Sequence, residues 1–402
     1  MTPRAIGSGV LNQCTMKQVI TSEKRPIKLW LDEIEAEAMA QARNLANLPF
    51  TFKHVAIMPD SHVGYGMPIG AVLATKGAVV PNAVGVDIGC GMCAMRTGMK
   101  RITKEQLKKI IGIARKLIPV GFEHHTERQD ESLMPQQPCD TMKIVNREYG
   151  AALKQIGTLG GGNHFIEIQK GSDGFIWIMI HSGSRNIGFK VAEHYNKIAI
   201  SLNEKYHSIV TKEMQLAFLP VETKEAKDYL AEMQYCIDFA LANRKLMMDR
   251  MIEAFTEVKG SLSHDEIINK AHNFAVWEHH FNTNVMVHRK GATRAYEGEL
   301  GMIPGSQGTK SYIVKGLGNE ESFKSCSHGA GRKMGRGKAV RDLDLQAEID
   351  FLNKQGIVHG IRHQADLEEA AGAYKDIGVV MENQKDLVDI VVELQPLAVI
   401  KG

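Results

Sequence analysis

The sequence predicts an α+β fold: one intertwined domain in which two β-rich, glycine-containing halves enclose an inserted helical block. Three observations carry this expectation. Short apolar runs broken by Gly and Pro fill the stretch from "FKHVAIMPD" through "MPIGAVLATKGAVVPNAVGVDIGCGMCAMRTG", and the same texture returns after "VHRKGATRAYEGELGMIPGSQG". Between them, residues 189–280 read as predominantly helical, with Pro220 as one break. No internal repeat and no low-complexity linker divides the 402 residues, so 1–402 is read as a single unit.

The elements follow in order. Residues 27–47 are rich in Ala, Glu and Leu and read as helix. "FKHVAIMPD" is a strand ending near Pro59. Residues 104–117 have amphipathic helical spacing, and 142–156 form a further helix. Between these two, "EHHTERQDESLMPQQPCD" is polar and contains proline, which reads as an exposed loop or insertion. "LGGGNHFIEIQ" and "GFIWIMIHSGSRNIG" are strand-like runs flanked by Gly-rich loops. Residues 341–355 read as helix, while "GIVHGI" and "VVELQPLAVIKG" read as closing strands.

Composition narrows the class. The chain is 44% hydrophobic and 24% charged, with a formal net charge of +3. This is an ordinary globular balance, and any nucleic-acid affinity has to come from a local basic patch. Six cysteines in so long a chain are not a disulfide scaffold. The opening "MTPRAIGSGVLNQCTMKQV" has no secretory apolar region, and the longest apolar stretch, near "GFIWIMIH", is too short to span a membrane. A reducing cytoplasm is the expected location.

The candidate chemistry lies where polar residues follow apolar strands: Asp60 and His62, Asp87 and Cys90, Asn163 and His164, His181, His272, His288 and His328. "DIGCGMC" places a carboxylate and two thiols, Cys90 and Cys93, on one tight loop. Read alone it fits a redox dithiol, a mixed hard-and-soft metal donor pair, or a glycine turn with buried sulfur. The glycines around Cys90 disfavour a helix N-terminus and so the redox motif. In "HSGSR" two hydroxyls and Arg185 follow His181, a set suited to phosphate, with a solvated turn as the plain alternative. His272, His279 and His280 share a stretch read as helical, and periodicity does not choose among them. "CSHGAGRKMGRGK" sets His328 among unhindered amides and a guanidinium, fit for attack on a nucleotide phosphate or, more simply, for non-specific contact with an RNA backbone.

Taken together and in order, "FKHVAIMPDSHVGYGMPIG", "AVGVDIGCGM", "LGTLGGGNHFIEI", "WIMIHSGSRNIG", "VHRKGATRA" and "IPGSQGTKSYIVKGLGNEESFKSCSHGAGR" resemble the RtcB family of GTP-dependent RNA ligases, essentially end to end. The resemblance implies an α+β architecture around a central metal cleft. It implies two Mn²⁺ ions on Asp87, Cys90, His164, His181 and His272, with the thiolate bridging both, and GTP as the nucleotide. His328 falls on the histidine that becomes guanylylated. Asn163, Phe165, Glu167, Ser306, Gly329, Ala330, Gly331, Arg332, Tyr374 and Lys401 fall on nucleotide-site positions, and Arg185 on a phosphate position. Cys93 matches no ligand. Gly335 and Asn186 stand where the family commonly has Ser and Gly.

The implied reaction joins RNA 3′-phosphate or 2′,3′-cyclic phosphate ends to 5′-hydroxyl ends through an RNA-(3′)pp(5′)G intermediate, in RNA repair or tRNA splicing. The implied partners are tRNA or rRNA fragments bearing such ends, with an archease-type activator as a candidate and no membrane. Three other readings compete. One is a Mn²⁺-dependent cyclic phosphodiesterase that opens ends without joining them. The second is an RNA-binding module using Arg185, Arg289, Lys290, Arg332, Lys333 and Arg336. The third is a thiol oxidoreductase using Cys90 and Cys93.

Overall fold

The computed structural model describes residues 16–402; Cys14 and most of the opening stretch read as lacking a secretory region lie outside the described residues. The first strands are β1 Gln18–Ile20, β2 Ile27–Leu29, β3 Thr51–His62, β4 Ile69–Thr75, β5 Ala78–Val79 and β6 Gly91–Arg96. The middle of the chain gives β7 Phe165–Gly171, β8 Ile176–Ser182 and β9 Leu219–Pro220. Then come β10 Ile268–Ala271, β11 Asn273–His280, β12 Thr283–Lys290, β13 Ala292–Arg294, β14 Leu300–Ile303, β15 Ser311–Gly316, β16 Ser325–Ser327 and β17 Val388–Lys401. The helices are α1 Ala36–Asn47, α2 Lys104–Leu117, α3 Lys143–Gln155, α4 Arg185–Lys205, α5 Lys224–Lys259, α6 Arg336–Asp342, α7 Leu345–Lys354 and α8 Ile377–Glu382.

Two sheets carry the fold. One has six strands in the order β1-β2-β3-β4-β12-β11, and the other seven, in the order β10-β6-β8-β7-β17-β15-β14. Every pairing in them is antiparallel except β2 with β3. The central strands show no alternation of exposed and buried residues. All seven residues of β8 are buried, as in a strand covered on both faces. Helix α5, 36 residues long, covers one face of the second sheet; Thr223 caps its start, and Gly260 closes it with φ 84°.

Several expectations change. Only 36–47 of the predicted 27–47 helix is helical, because residues 27–29 pair in parallel with β3 and bury Ile27 and Leu29. The helical block is real from Arg185 to Lys205 and from Lys224 to Lys259, but 268–280 is strand. β10 pairs with β6 and β11 with β12, so ladder hydrogen bonding overrides weak local helical spacing there. "GIVHGI" makes a single bridge, Val358 to Ala398, and is no strand. The 341–355 helix is two short helices that meet at Asp344, whose side chain caps the second. No helix among the described residues is long and apolar enough to cross a membrane.

This topology gathers the candidate residues at one corner. Gly91 is paired with Ser182 and with Ala271, and Phe165 with His181. Cys90, His164, His181 and His272 therefore sit at or just beyond the same end of β6, β7, β8 and β10. His272 is the single residue between β10 and β11, where the chain crosses from one sheet to the other.

Candidate active site

The geometry begins with backbone-locked imidazoles. His164 donates from Nδ1 to the Leu159 carbonyl at 3.0 Å, and His181 from Nδ1 to the Asn163 carbonyl at 3.0 Å. A carbonyl only accepts, so both rings turn a bare Nε2 lone pair inward. These atoms lie 3.5 and 3.3 Å from Cys90 Sγ. His164 Nε2 also faces Asp87 Oδ2 at 3.1 Å, and His181 Nε2 faces His272 Nε2 at 3.4 Å. More lone pairs converge than one thiol proton can satisfy. The Cys90, His164 and His181 donor atoms all lie within 4.8 Å of one another, and all three residues are buried. The donor set fits a borderline divalent ion of the Mn²⁺ or Zn²⁺ kind.

The charges agree. Burial and the adjacent Asp87 push the Cys90 thiol well up, so a cation is what would hold it as thiolate. Burial drives His181 and His272 far down, keeping both rings neutral. Burial alone would raise Asp87, but the facing His164, which donates from Nε2 whenever the ring carries its second proton, outweighs it and holds the carboxyl low. At Gly160, φ is +91° and an added Cβ would lie 2.7 Å from His164 Nδ1, so only glycine lets the loop pass this close.

His328 stands directly after β16, its ring centroid 4.8 Å from that of His272. Its Nδ1 donates to Asp60 Oδ2 at 2.6 Å. The same oxygen accepts the backbone N–H groups of His328 at 3.0 Å and of Gly329 at 3.2 Å. Asp60 is fully buried, and its carboxyl stays low because His328 outweighs the upward pull of burial. The dyad fixes the tautomer and leaves Nε2 of His328 without the proton.

Both features open on one cleft of about 490 Å³. Its walls include Asp87, Cys90, His181, His272 and His328, together with Asn163, Phe165, Glu167, Ser306, Gly329, Ala330, Gly331, Arg332, Tyr374 and Lys401. Arg332 and Arg336 grip Glu369 at 3.0 and 2.8 Å, and the Tyr374 hydroxyl donates to the same carboxylate. Burial pulls Lys401 down, and the charges of Glu369 and Glu167 partly offset it. Burial pushes Glu167 up to about 7, although Gln169 donates to it at 2.7 Å. Arg185 lies behind the lining. It holds a left-handed backbone, φ 60°, while its guanidinium donates to Thr158 Oγ1 and to the Gly121 carbonyl, each at 3.1 Å.

Other sequence candidates are structural. His288 is buried, with Nε2 accepting from the Val80 N–H at 3.0 Å and Nδ1 facing the Leu73 carbonyl at 3.2 Å. Cys93 is sealed in an apolar cluster with its thiol pushed up to about 12, which removes the redox pair. Arg289 is fully buried against Glu278 and cannot belong to a surface basic patch. The partnership of Asp60 with His328, 268 residues away, had no local signal. Glu369 had none either. Lys290 borders the cleft, donating to the Tyr65 carbonyl at 2.6 Å and the Asn82 carbonyl at 3.1 Å, and burial alone lowers it to about 7.

A mixed two-sheet fold, a buried thiol–imidazole cluster that could hold a metal ion, a part-exposed carboxylate and an oriented histidine beside a glycine-lined cleft together define a class: proteins with an enzyme-like site. Known proteins narrow that class. The family model described as "tRNA-splicing ligase RtcB" matches residues 41–141 and 131–402. The chain is 37% identical over 413 residues to the RNA-splicing ligase RtcB of Escherichia coli, an alignment covering 96% of this chain and 99% of that protein. It is 31% identical to the tRNA-splicing ligase RtcB of Thermococcus kodakarensis, covering 90% and 91%, and 31% identical to the RNA-splicing ligase RtcB of Mycobacterium tuberculosis, covering 90% and 100%. The chain belongs to the RtcB family.

Proposed function

We propose that this chain is an RNA ligase that joins RNA 3′-phosphate or 2′,3′-cyclic phosphate ends to 5′-hydroxyl ends, with 1–402 acting as one catalytic unit. His328 Nε2 attacks the α-phosphorus of GTP, and pyrophosphate leaves. Asp60 holds the imidazole through Nδ1 and stabilises the positive charge the ring acquires. An RNA 3′-phosphate oxygen then displaces His328 from GMP, giving the RNA-(3′)pp(5′)G end. A 5′-hydroxyl attacks the activated 3′-phosphorus, and GMP departs. Asp87, Cys90, His164, His181 and His272 would hold two Mn²⁺ ions, which supply charge neutralisation for the crowded phosphates. Arg185 binds phosphate, and Arg332 belongs to the nucleotide site. Asn163, Phe165, Glu167, Ser306, Tyr374 and Lys401, with the amides of Gly329 to Gly331, seat the nucleotide. Broken tRNA or rRNA supplies the ends.

The observation that carries this reading is the 2.6 Å Asp60–His328 contact on the wall shared with the thiol–imidazole cluster. The test is incubation with α-labelled GTP and Mn²⁺ followed by a denaturing gel. The expected result is a protein-bound label that is acid-labile, alkali-stable and lost in His328→Ala. An unlabelled wild-type protein that still opens cyclic ends would leave a phosphodiesterase instead.

A further inference from the structure

Phe122 is 98% exposed, more than any other large hydrophobic side chain among the described residues. Its position is not remote. It sits on a reverse turn closed by the Glu123 N–H to the Val120 carbonyl at 3.1 Å. The preceding residue, Gly121, donates its N–H to the Gly160 carbonyl at 3.0 Å and accepts from Arg185 Nη2 at 3.1 Å. Gly160 to Gly162 is the loop that leads into Asn163 and His164, so the turn bearing the exposed ring is tied by one hydrogen bond to the loop carrying a cluster imidazole and by a second to Arg185 on α4.

Cations flank the same loop. Arg185 lies against Gly160, and Arg336, whose side chain is 53% exposed, lies over Gly162. A solvent-facing aromatic ring on a turn packed against a loop that guanidinium groups flank is a combination suited to single-stranded nucleic acid, the ring taking a base face close to positive charge. The ring buries almost no surface, and among the described residues no aromatic side chain packs on it.

We propose that Phe122 is a stacking residue for an unpaired base close to the reacting end of the RNA, positioning that end at the cleft. The proposal rests on the ligase reading. It adds a substrate-positioning element at the rim, outside the nucleotide and metal residues.

The test is ligation of short oligoribonucleotides by the wild type, Phe122→Ala and Phe122→Trp, with abasic sites placed one at a time near each reacting end. Phe122→Ala is expected to raise KM for RNA about tenfold, the scale of losing one base-on-ring stack, while Phe122→Trp stays near wild type. One abasic position should impair the wild type to the same extent and add nothing further in Phe122→Ala. Enzyme–GMP formation without RNA reports the first step separately. An RNA KM in Phe122→Ala within about twofold of wild type, losses that add at every abasic position, or a change of oligomeric state in place of RNA affinity would each overturn the proposal. A wild type that forms no GMP adduct and joins no RNA defeats the ligase reading itself, a distinct result.

Discussion

Asp60 shows what a single buried carboxylate can organise. Its Oδ2 gathers three donors, two backbone and one imidazole, while Oδ1 has no partner among the described residues. Asp60→Asn keeps the shape but offers either a neutral oxygen or an NH₂ group to His328, which loosens the tautomer and removes the countercharge. The expected outcome is a fall in the rate of GMP transfer to the protein on the order of a hundredfold or more, with the thermal unfolding midpoint near wild type. Labelled-GTP kinetics check it, and a rate within a few-fold of wild type would contradict the role given to Asp60. Residue chemistry was legible in the sequence wherever the donor type was distinctive. Cys90, His164, His181 and His328 stand beside glycines at strand ends, and the structure brings them together. Asp60 was visible as a polar residue after a strand but not as a partner, because its meaning depends on a contact across 268 positions.

At the scale of elements, helix α2 was readable to the residue. Thr103 and Gln106 form a reciprocal cap, and Leu107, Ile110, Ile111 and Ala114 bury one face. Residues 268–280 were not readable, since their place is set by partners in two different sheets and not by local spacing. The strand before His328 depends on another distant contact. Arg289 on β12 makes a two-pronged pair with Glu278 at 2.7 and 3.0 Å, and also donates to Ser325 Oγ at 2.8 Å and the Phe323 carbonyl at 2.9 Å. This one guanidinium joins β11, β12 and β16. Arg289→Met leaves buried Glu278 with only the His280 imidazole in place of the guanidinium, and is expected to cost about 3–5 kcal/mol in urea unfolding. A loss below about 1 kcal/mol would show that the interior there is wetter than the packing indicates.

For the molecule as a whole, the cluster is assembled from four segments that meet only in the folded state: the loop before β6, the loop before β7, the end of β8 and the β10–β11 junction. An ion bound there favours the native state by mass action. At a hundredfold excess over its dissociation constant, Mn²⁺ should add about 2.7 kcal/mol and raise the unfolding midpoint by roughly 3 °C for a chain of this length. Differential scanning fluorimetry checks it, and Cys90→Ala should flatten the response; an equal rise in that variant would place the ion elsewhere. The fold class was legible because glycine-broken apolar runs bracket the long helices, whereas strand order was not, since sheet neighbours are far apart in the chain. Strand β17 makes this concrete: residues 388–401 lie between β7 and β15, in the interior of the seven-stranded sheet. During synthesis, the ribosome releases β7 and β15 long before the segment that must be inserted between them. A nascent chain therefore carries two unfilled strand edges until residues 388–401 have emerged, and shielding them in that interval falls to chaperones or to the speed of that insertion.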